Sequence, residues 1–331
     1  MTEKKRYDKI YLENFLNIFL GGDNLKEEKI ILGEGTEFPL NGILTLPDDA
    51  KKVPAVVFVH GSGSSNMDEK VMKLTPFKDL AKGLAAHGIA SVRYDKRSFA
   101  HGRKLMKACN LTVREEAIED AVLASELLKN DSRIDPEKVF IVGHSMGAML
   151  APRIDAEGGN FRGLILMAGT LDTLEEVLFR QLEEMKNGKS KIMSWIASAQ
   201  DKKFRKSFEN LYEISDEEAK KRKYAGGVNL YYFKEMGLHR AKDYLEKTEK
   251  PVLVMQGSKD LQVNVERDFG GYKKLFGDRD NFSFRLYEGL NHCFVPALYD
   301  DISKATKEFS VERHIGEDVI SDIAGWILKE C

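Results

Sequence analysis

The segment KVFIVGHSMGAMLAP, residues 138–152, limits what this chain can fold into more than any other stretch. An apolar run that ends at a glycine predicts a short buried strand, and the apolar spacing that resumes after the second glycine predicts a helix. Gly143 and Gly147 stand two positions before and after Ser145. Because a sharp strand-to-helix turn strains its central residue and crowds the neighbours, the spacing predicts that Ser145 occupies such a turn. Pro152 predicts that the helix is short or kinked.

Short apolar runs alternate with helical patterns along most of the chain, which is typical of an α/β fold. The runs AVVFV, VFIV and LILMA are apolar throughout, as expected for parallel strands that are covered on both faces. We therefore expect a mostly parallel, doubly wound sheet of about eight strands. The expected strands are residues 29–32, 40–46, 55–59, 90–94, 138–142, 163–168, 251–256 and 282–287, and the main expected helices are residues 76–87, 114–130 and 316–329.

The alternation of strands and helices stops between Leu171 and Lys250, where about eighty residues are charged and helical in pattern. This stretch is expected to be a helical cap inserted at residues 171–247, between core segments at residues 28–170 and 248–331. Residues 1–27 are expected to form an N-terminal amphipathic helix. The apolar stripe of that helix consists of Ile10, Phe15, Ile18 and Phe19.

The charge balance excludes several classes of partner. The 331 residues include 51 basic and 53 acidic side chains, and the formal net charge is −2. Since the chain has no long basic tract, we expect no nucleic-acid partner. No stretch reaches the roughly 18 consecutive apolar residues of a membrane span, so we expect no membrane association either. Whether the protein forms a homodimer stays open at this point.

Cysteine usage indicates the compartment. Cys109, Cys293 and Cys331 are an odd number at wide spacing, which favours reduced thiols over a disulfide framework or a zinc site. We expect Cys293 to be a small apolar filler. A cytoplasmic location is therefore expected, and secretion remains the alternative if a signal peptide was removed from the chain.

Two later residues match the needs of a reactive serine. A serine hydroxyl is a weak nucleophile until a base removes its proton, and a third group must hold that base in one tautomer. Asp260 follows the apolar run VLVMQ and His292 follows the run FRLY, so both are expected in loops at the carboxyl edge of the sheet. The order Ser145, Asp260, His292 is that of nucleophile, acid and base in hydrolases built on a wound sheet. Glu288 and Asp278 are the alternatives for the acid.

An oxyanion formed at such a serine needs main-chain donors. The N–H of Met146 lies at the expected start of the helix after the serine, where the helix dipole favours negative charge. The second donor is expected in the loop HGSGSS after the strand at 55–59, and we assign it to the N–H of Ser62 between Gly61 and Gly63. A phosphate-binding interpretation of this loop is excluded, because neither G-x-G-x-x-G nor G-K-[ST] is present. No cofactor and no metal are expected.

The stretches FVHGSG, RYDKR, GHSMGAMLAPRI, GSKDLQV and GLNH together resemble the serine esterases of the α/β-hydrolase fold. The likeness covers about residues 28–170 and 248–330. Within that fold the chain resembles the bacterial carboxylesterases that include feruloyl (cinnamoyl) esterases and EstD-type esterases. The resemblance implies hydrolysis of carboxylic esters through an acyl-enzyme, without a metal, and a cap inserted after the sixth strand.

The expected function is therefore hydrolysis of small carboxylic esters by a serine carboxylesterase, with hydroxycinnamoyl and short-chain acyl esters as candidate substrates. A thioesterase, a peptidase or a lipase with the same three residues is the alternative, as is a non-catalytic binding protein with this fold. Aromatic residues of the insertion are expected either to line the substrate pocket or to form an ordinary core. The candidates for substrate binding are His60, Gly61, His144, Trp195, Tyr231, Tyr232 and Phe233.

Overall fold

The computed structural model describes residues 25–331 apart from residues 106, 108–110, 189 and 225–227. Most of the expected N-terminal helix lies outside this range. The first strand begins at Leu25, so the last three residues of the expected helix, 25–27, are extended instead.

Eight strands form one sheet, as the apolar runs predict. Where the bounds differ from expectation, the observed strands extend or shorten by a few residues at their ends. The strands are β1 Leu25–Leu32, β2 Leu40–Pro47, β3 Val53–Val59, β4 Ala90–Tyr94, β5 Ile134–His144, β6 Leu164–Met167, β7 Val252–Gly257 and β8 Phe282–Tyr287.

The spatial order of the strands is β1-β2-β4-β3-β5-β6-β7-β8. β1 and β2 pair antiparallel, as do β2 and β4, whereas every pair from β4 to β8 is parallel. Because the six strands β3 to β8 run in the same direction, their carboxyl ends meet at one edge of the sheet. The loops that follow β3, β5, β7 and β8 therefore converge there.

Helices connect the strands, and those expected at residues 76–87, 114–130 and 316–329 are present with small differences at their ends. The helices are α1 Pro76–Ala86, α2 Arg97–Ala100, α3 Gly102–Leu105, α4 Glu119–Asn130, α5 Met146–Ile154, α6 Leu174–Lys186, α7 Lys191–Ser207, α8 Asp216–Lys221, α9 Leu230–Gly237, α10 Ala241–Leu245, α11 Gly270–Phe276, α12 Ala305–Glu308 and α13 Glu317–Glu330. A π-helical turn at Arg114–Ile118 leads into α4. α5 contains Pro152 and has only nine residues, as the proline predicts. None of the helices in the described part of the chain combines the length and apolar character needed to cross a bilayer.

The central strands of the sheet are buried on both faces, which explains the unbroken apolar runs of β3, β5 and β6. Along β5, Val139 and Ile141 belong to the core that includes α4, α5 and α11, whereas Phe140 and Val142 belong to the core that includes α1 and α13. Alternate residues of a strand point to opposite faces, so a strand covered on both sides is apolar at every position. The expected doubly wound α/β architecture is confirmed.

The described residues of the segment between β6 and β7 contain the five helices α6 to α10 and the turns that join them. Its first helix begins with a capping box, in which the Thr173 side chain accepts from the Glu176 N–H and the Glu176 carboxylate accepts from the Thr173 N–H. Its apolar side chains are continuous with the core on the α5 face. The rings of Phe204 and Phe208 stack at a centroid distance of 4.5 Å, and Phe233 meets Phe208 edge to face at 4.8 Å.

Two helical glycines provide a matched test of the packing between α1 and α13. A Cβ atom at Gly83 of α1 would lie 2.6 Å from the side chain of Ile320 in α13, whereas a Cβ atom at Gly325 of α13 would meet no atom within 4 Å. We expect Gly83→Val to lower the free energy of unfolding by about 1–3 kcal/mol, since overpacking forces the two helices apart. Gly325→Val should change it by less than about 0.5 kcal/mol. Urea unfolding of both variants checks this, and equal stabilities would contradict it.

Candidate active site

Ser145 occupies the strand-to-helix turn that the sequence predicts. Its backbone has φ 53° and ψ −117°, a strained conformation for a residue with a side chain. Both flanking glycines are required sterically, because a Cβ atom at Gly143 would overlap the Gly147 carbonyl and one at Gly147 would overlap the Val59 carbonyl. The Ser145 N–H donates to the Met167 carbonyl oxygen at 2.9 Å and so fixes the turn to β6. The turn holds a half-buried serine between fully buried neighbours.

Asp260 and His292 come together at the same edge of the sheet. The Nδ1–H of His292 donates to Asp260 Oδ2 at 2.7 Å. The same carboxylate accepts from the Gln256 side-chain amide at 2.7 Å and from the N–H groups of Gln262 at 2.7 Å and Val263 at 3.0 Å. With its Nδ1 protonated, a neutral His292 ring leaves Nε2 as a proton acceptor. Asp260 therefore holds His292 in the tautomer of a general base.

His144 joins the histidine loop to the serine turn. Its Nε2–H donates to the His292 carbonyl oxygen at 2.9 Å, and the centroids of the two rings lie 4.7 Å apart. Since His144 directly precedes Ser145, this contact brings the His292 loop beside the turn. Among the described residues Asp260, and not Glu288 or Asp278, is the carboxylate that contacts His292.

Glu69, which the sequence analysis missed, forms a second buried acid–histidine pair. It is 4% exposed, and its Oε2 lies 3.0 Å from the His144 Nδ1. The two atoms are within ion-pair distance, although their alignment is poor for a hydrogen bond. The other carboxylate oxygen, Oε1, accepts from the Gly61 N–H at 2.7 Å. Glu69 thus links the loop after β3 to the serine turn.

The Glu69–His144 contact favours a charge on both groups. Burial opposes the charge of each group, but the neighbouring opposite charge outweighs burial, so the pKa of His144 is raised and the pKa of Glu69 is lowered. Because the His144 Nε2 already donates to a carbonyl, a proton on Nδ1 makes the ring a cation. Both ring nitrogens of His144 therefore face protein groups.

The loop after β3 lies against the serine turn. A Cβ atom at Gly61 would lie 3.2 Å from the Cβ of Ser145, so glycine permits this close approach. Ser62 and Gly63 are exposed, and Gly63 has φ +85°. The Lys96 ammonium group donates to the carbonyl oxygens of Gly61 at 2.9 Å and of Gly63 at 3.0 Å.

His60 stabilises this loop as a neutral side chain. Its ring is 2% exposed, lies 5.1 Å from the Phe77 ring, and donates from Nε2 to the Asn66 carbonyl oxygen at 3.0 Å. Burial lowers the pKa of His60 to about 4. His60 is therefore uncharged at neutral pH and closes the turn between residues 60 and 66.

The aromatic candidates of the insertion separate into three environments. The Tyr232 hydroxyl donates to Glu116 Oε2 at 2.6 Å and lies 3.6 Å from the Met146 sulfur. Phe233 belongs to the aromatic core of the insertion. Tyr231 is half-buried, and the Lys220 ammonium group lies 4.8 Å from the centroid of its ring. Trp195 is 75% exposed on α7. Tyr232 is the candidate that contacts a residue of the serine turn.

Sequence reasoning missed Glu69, Lys96 and Glu116 because no local pattern distinguishes them. Glu69 lies in the mixed polar stretch SSNMDEK, and Glu116 is one of four acidic residues in REEAIED. Lys96 lies in RYDKR, a stretch that contributes to the family resemblance but carries no role there. Its position two residues after the end of a buried strand is the one sequence signal for it.

Comparison with known proteins gives the family of the chain. The profile of the family described as serine aminopeptidase, S33, matches residues 50–296, which is most of the chain. The chain belongs to this family of serine hydrolases. It is also 33% identical over 305 residues to Esterase EstD of Thermotoga maritima, covering 92% of this chain and 68% of that protein. The resemblance to serine esterases is confirmed.

Solved structures confirm the α/β-hydrolase fold. Est1E from Butyrivibrio proteoclasticus matches with a TM-score of 0.50 and 15% identity, covering 89% of this chain and 99% of that chain. The Pyrococcus furiosus esterase Pf2001 matches with a TM-score of 0.53 and 16% identity, covering 92% and 91%. At these identities the likeness is one of fold.

The pKa of His60 predicts a pH dependence of stability. Folded His60 titrates near pH 4, whereas an unfolded histidine titrates near 6.5, so the unfolded state binds more protons between these values. Stability from this group is present above pH 6.5 and is lost as the pH falls towards 4. Between pH 7 and pH 5 the free energy of unfolding of the wild type should fall by about 2 kcal/mol more than that of His60→Asn. Urea unfolding at both pH values measures this, and parallel losses would contradict it.

Proposed function

We propose that the protein is a serine carboxylesterase in which Ser145 attacks the ester carbonyl. His292 takes the Ser145 proton as the new oxygen–carbon bond forms, and then gives it to the departing alcohol as the ester bond breaks. Water, deprotonated by the same imidazole, hydrolyses the acyl-enzyme and regenerates the serine. Asp260 orients His292 and stabilises the imidazolium. The N–H groups of Met146 and Ser62 stabilise the tetrahedral oxyanion.

The observation that carries the proposal is the 2.7 Å contact between His292 and Asp260 beside the strained turn of Ser145. Four hydrogen bonds fix the Asp260 carboxylate in position. Its charge and fixed position hold the His292 Nδ1–H, so Nε2 is the nitrogen left to accept the serine proton. The ester as substrate is supported by the similarity to Esterase EstD.

We propose that α6 to α10, within residues 171–247, form a cap that shapes the substrate site above the core at residues 28–170 and 248–331. The contact of Tyr232 with Met146 supports this placement, since it joins the insertion to a proposed oxyanion residue. Small esters, either short-chain acyl or hydroxycinnamoyl, are the proposed substrates. His144 is assigned to positioning, because both of its ring nitrogens contact protein groups.

We further propose a cytoplasmic location. Cys293 is buried and Cys331 is exposed, and both are free thiols, as a reducing compartment permits. Burial raises the pKa of the Cys293 thiol well above its usual range, so Cys293 is an unreactive filler beside the proposed base. Cys109 lies outside the described residues.

Amide hydrolysis is the second candidate, and the description of the matching family as serine aminopeptidases favours it. The same serine, histidine and aspartate can cleave either bond. The two functions differ in the leaving group and in the need to bind a free amino terminus. A substrate panel therefore separates them.

Replacing Ser145 tests the proposal directly. Ser145→Ala should lower kcat for p-nitrophenyl esters by about 10⁴- to 10⁶-fold and abolish labelling by a fluorophosphonate probe, because the nucleophile is lost. The wild type should hydrolyse p-nitrophenyl acetate, butyrate or octanoate or methyl ferulate with a higher kcat/KM than aminoacyl anilides and acyl-CoA. Turnover by Ser145→Ala at near the wild-type rate would overturn the mechanism. A preference for aminoacyl anilides would establish the aminopeptidase alternative.

A further inference from the structure

We propose that Lys96 is a positioning residue that holds the oxyanion loop, defined as residues 61–65, in its active conformation; this inference rests on the proposed esterase mechanism. Lys96 lies two residues beyond the end of β4 and is 2% exposed. Its ammonium group donates to the Gly61 carbonyl oxygen at 2.9 Å and to the Gly63 carbonyl oxygen at 3.0 Å. Its main-chain N–H donates to the Ser65 carbonyl oxygen at 3.0 Å. One residue therefore binds three carbonyls of the oxyanion loop.

The Gly61 contact determines where the Ser62 N–H points. The Gly61 carbonyl and the Ser62 N–H belong to the same planar peptide unit and point in opposite directions. By binding the carbonyl, Lys96 directs the Ser62 N–H away from itself. The Gly61 N–H is already bound to Glu69 and so cannot serve the oxyanion. The loop is thus held on both sides of Gly61, and Ser62 is left as the donor next in the chain.

The oxyanion loop needs this restraint because its tip is exposed. Ser62, Gly63 and Ser64 are all exposed, and a loop with two glycines has many accessible backbone conformations. A rotated Gly61–Ser62 peptide would present its carbonyl oxygen, instead of the N–H, to the developing negative charge. Main-chain donors stabilise a transition state only when they are fixed before the reaction begins.

A buried lysine suits this task better than a neutral donor. Its ammonium group has three hydrogens, of which two reach carbonyl oxygens, and Glu116 Oε1 lies 3.4 Å away as the counter-charge. Burial opposes ionisation of Glu116, but the Lys96 charge and the hydrogen bond from Tyr232 outweigh it and lower the pKa of Glu116. The positive charge also polarises the peptide unit that it binds, which strengthens the Ser62 N–H as a donor.

The same charged pair reaches the second oxyanion residue. Glu116 accepts the Tyr232 hydroxyl at 2.6 Å, and that hydroxyl lies 3.6 Å from the Met146 sulfur. Lys96 and Glu116 therefore connect the loop of Ser62, the residue Met146 and the helical insertion. This placement is what a positioning role for the oxyanion donors requires.

The test is Lys96→Met, which keeps the length of the side chain and removes its donors. We expect kcat for the best p-nitrophenyl ester to fall about 10- to 100-fold with KM unchanged within about threefold, since loss of a whole oxyanion donor costs about 10²–10³. A trifluoromethyl ketone with the same acyl chain forms a tetrahedral adduct with Ser145. Its Ki should rise by the same factor as kcat/KM falls, while the Ki of the carboxylate product stays constant.

Lys129→Met is the matched control. The Lys129 ammonium group also donates to two main-chain carbonyls, those of Gly159 at 2.9 Å and Asn160 at 2.7 Å, but it stands near the start of β5, at the opposite edge of the sheet. The Lys129→Met substitution should leave kcat and the Ki of the trifluoromethyl ketone unchanged. Should Lys96→Met not be recovered folded, Lys96→Gln replaces it with the same expected direction of change.

The outcomes separate this inference from the proposed function. If Lys96→Met matches Lys129→Met in kcat and in the Ki of the trifluoromethyl ketone while Ser145→Ala is inactive, the role of Lys96 is wrong and the mechanism stands. An equal rise in the Ki of the ketone and of the carboxylate product would also overturn it, because that result indicates general damage to the site. If the wild type hydrolyses no ester and resists the fluorophosphonate, both proposals fall.

Discussion

The close approach of three backbone segments at Ser145 is the constraint on which the rest of the site depends. β5 ends, α5 begins and the end of β3 passes alongside, with so little space that neither Gly143 nor Gly147 can carry a Cβ atom. This crowding holds Ser145 at a positive φ and raises it above the sheet edge. The buried packing of β3, β5 and β6 stabilises a backbone conformation that a short peptide would not keep. The core of the sheet therefore offsets the strain of the Ser145 backbone.

Buried charges transmit this geometry to the surrounding loops. Glu69 with His144 links the serine turn to the Gly61 N–H and to the carbonyl of His292, and Lys96 with Glu116 lies on the other side of the same loop. A buried ion pair contributes little net stability, because both ions lose their hydration. Both pairs instead bind main-chain groups of loops that otherwise have freedom to move. Their effect is therefore on the orientation of the site more than on the free energy of folding.

The sequence predicted the elements with local signals and missed those that depend on distant partners. The apolar runs of the eight strands, the short helix with Pro152 and the turn of Ser145 each follow from residues adjacent in the chain. The pairing of Asp260 with His292 followed from their order and from parallel strands ending at one edge. Glu69 had no such signal and Lys96 had only its place just after β4, since Gly61, which both residues bind, lies 8 and 35 positions away from them. Phe233 and Trp195 could not be separated from sequence, because one is buried among aromatic rings and the other is in solvent.

The amino-acid sequence alone determined the doubly wound sheet and the glycine-flanked turn of Ser145, because strand periodicity and steric demands at a turn act between near neighbours. It also predicted that Asp260 and His292 lie at one edge of the sheet, where the structure pairs them. Only the tertiary structure decided which buried charges hold the oxyanion loop and which side of His144 meets Glu69. Hydrogen bonds and ion pairs form between groups a few ångströms apart in space, whatever their separation along the chain. No local pattern encodes that proximity, which arises when the sheet brings its carboxyl edge together.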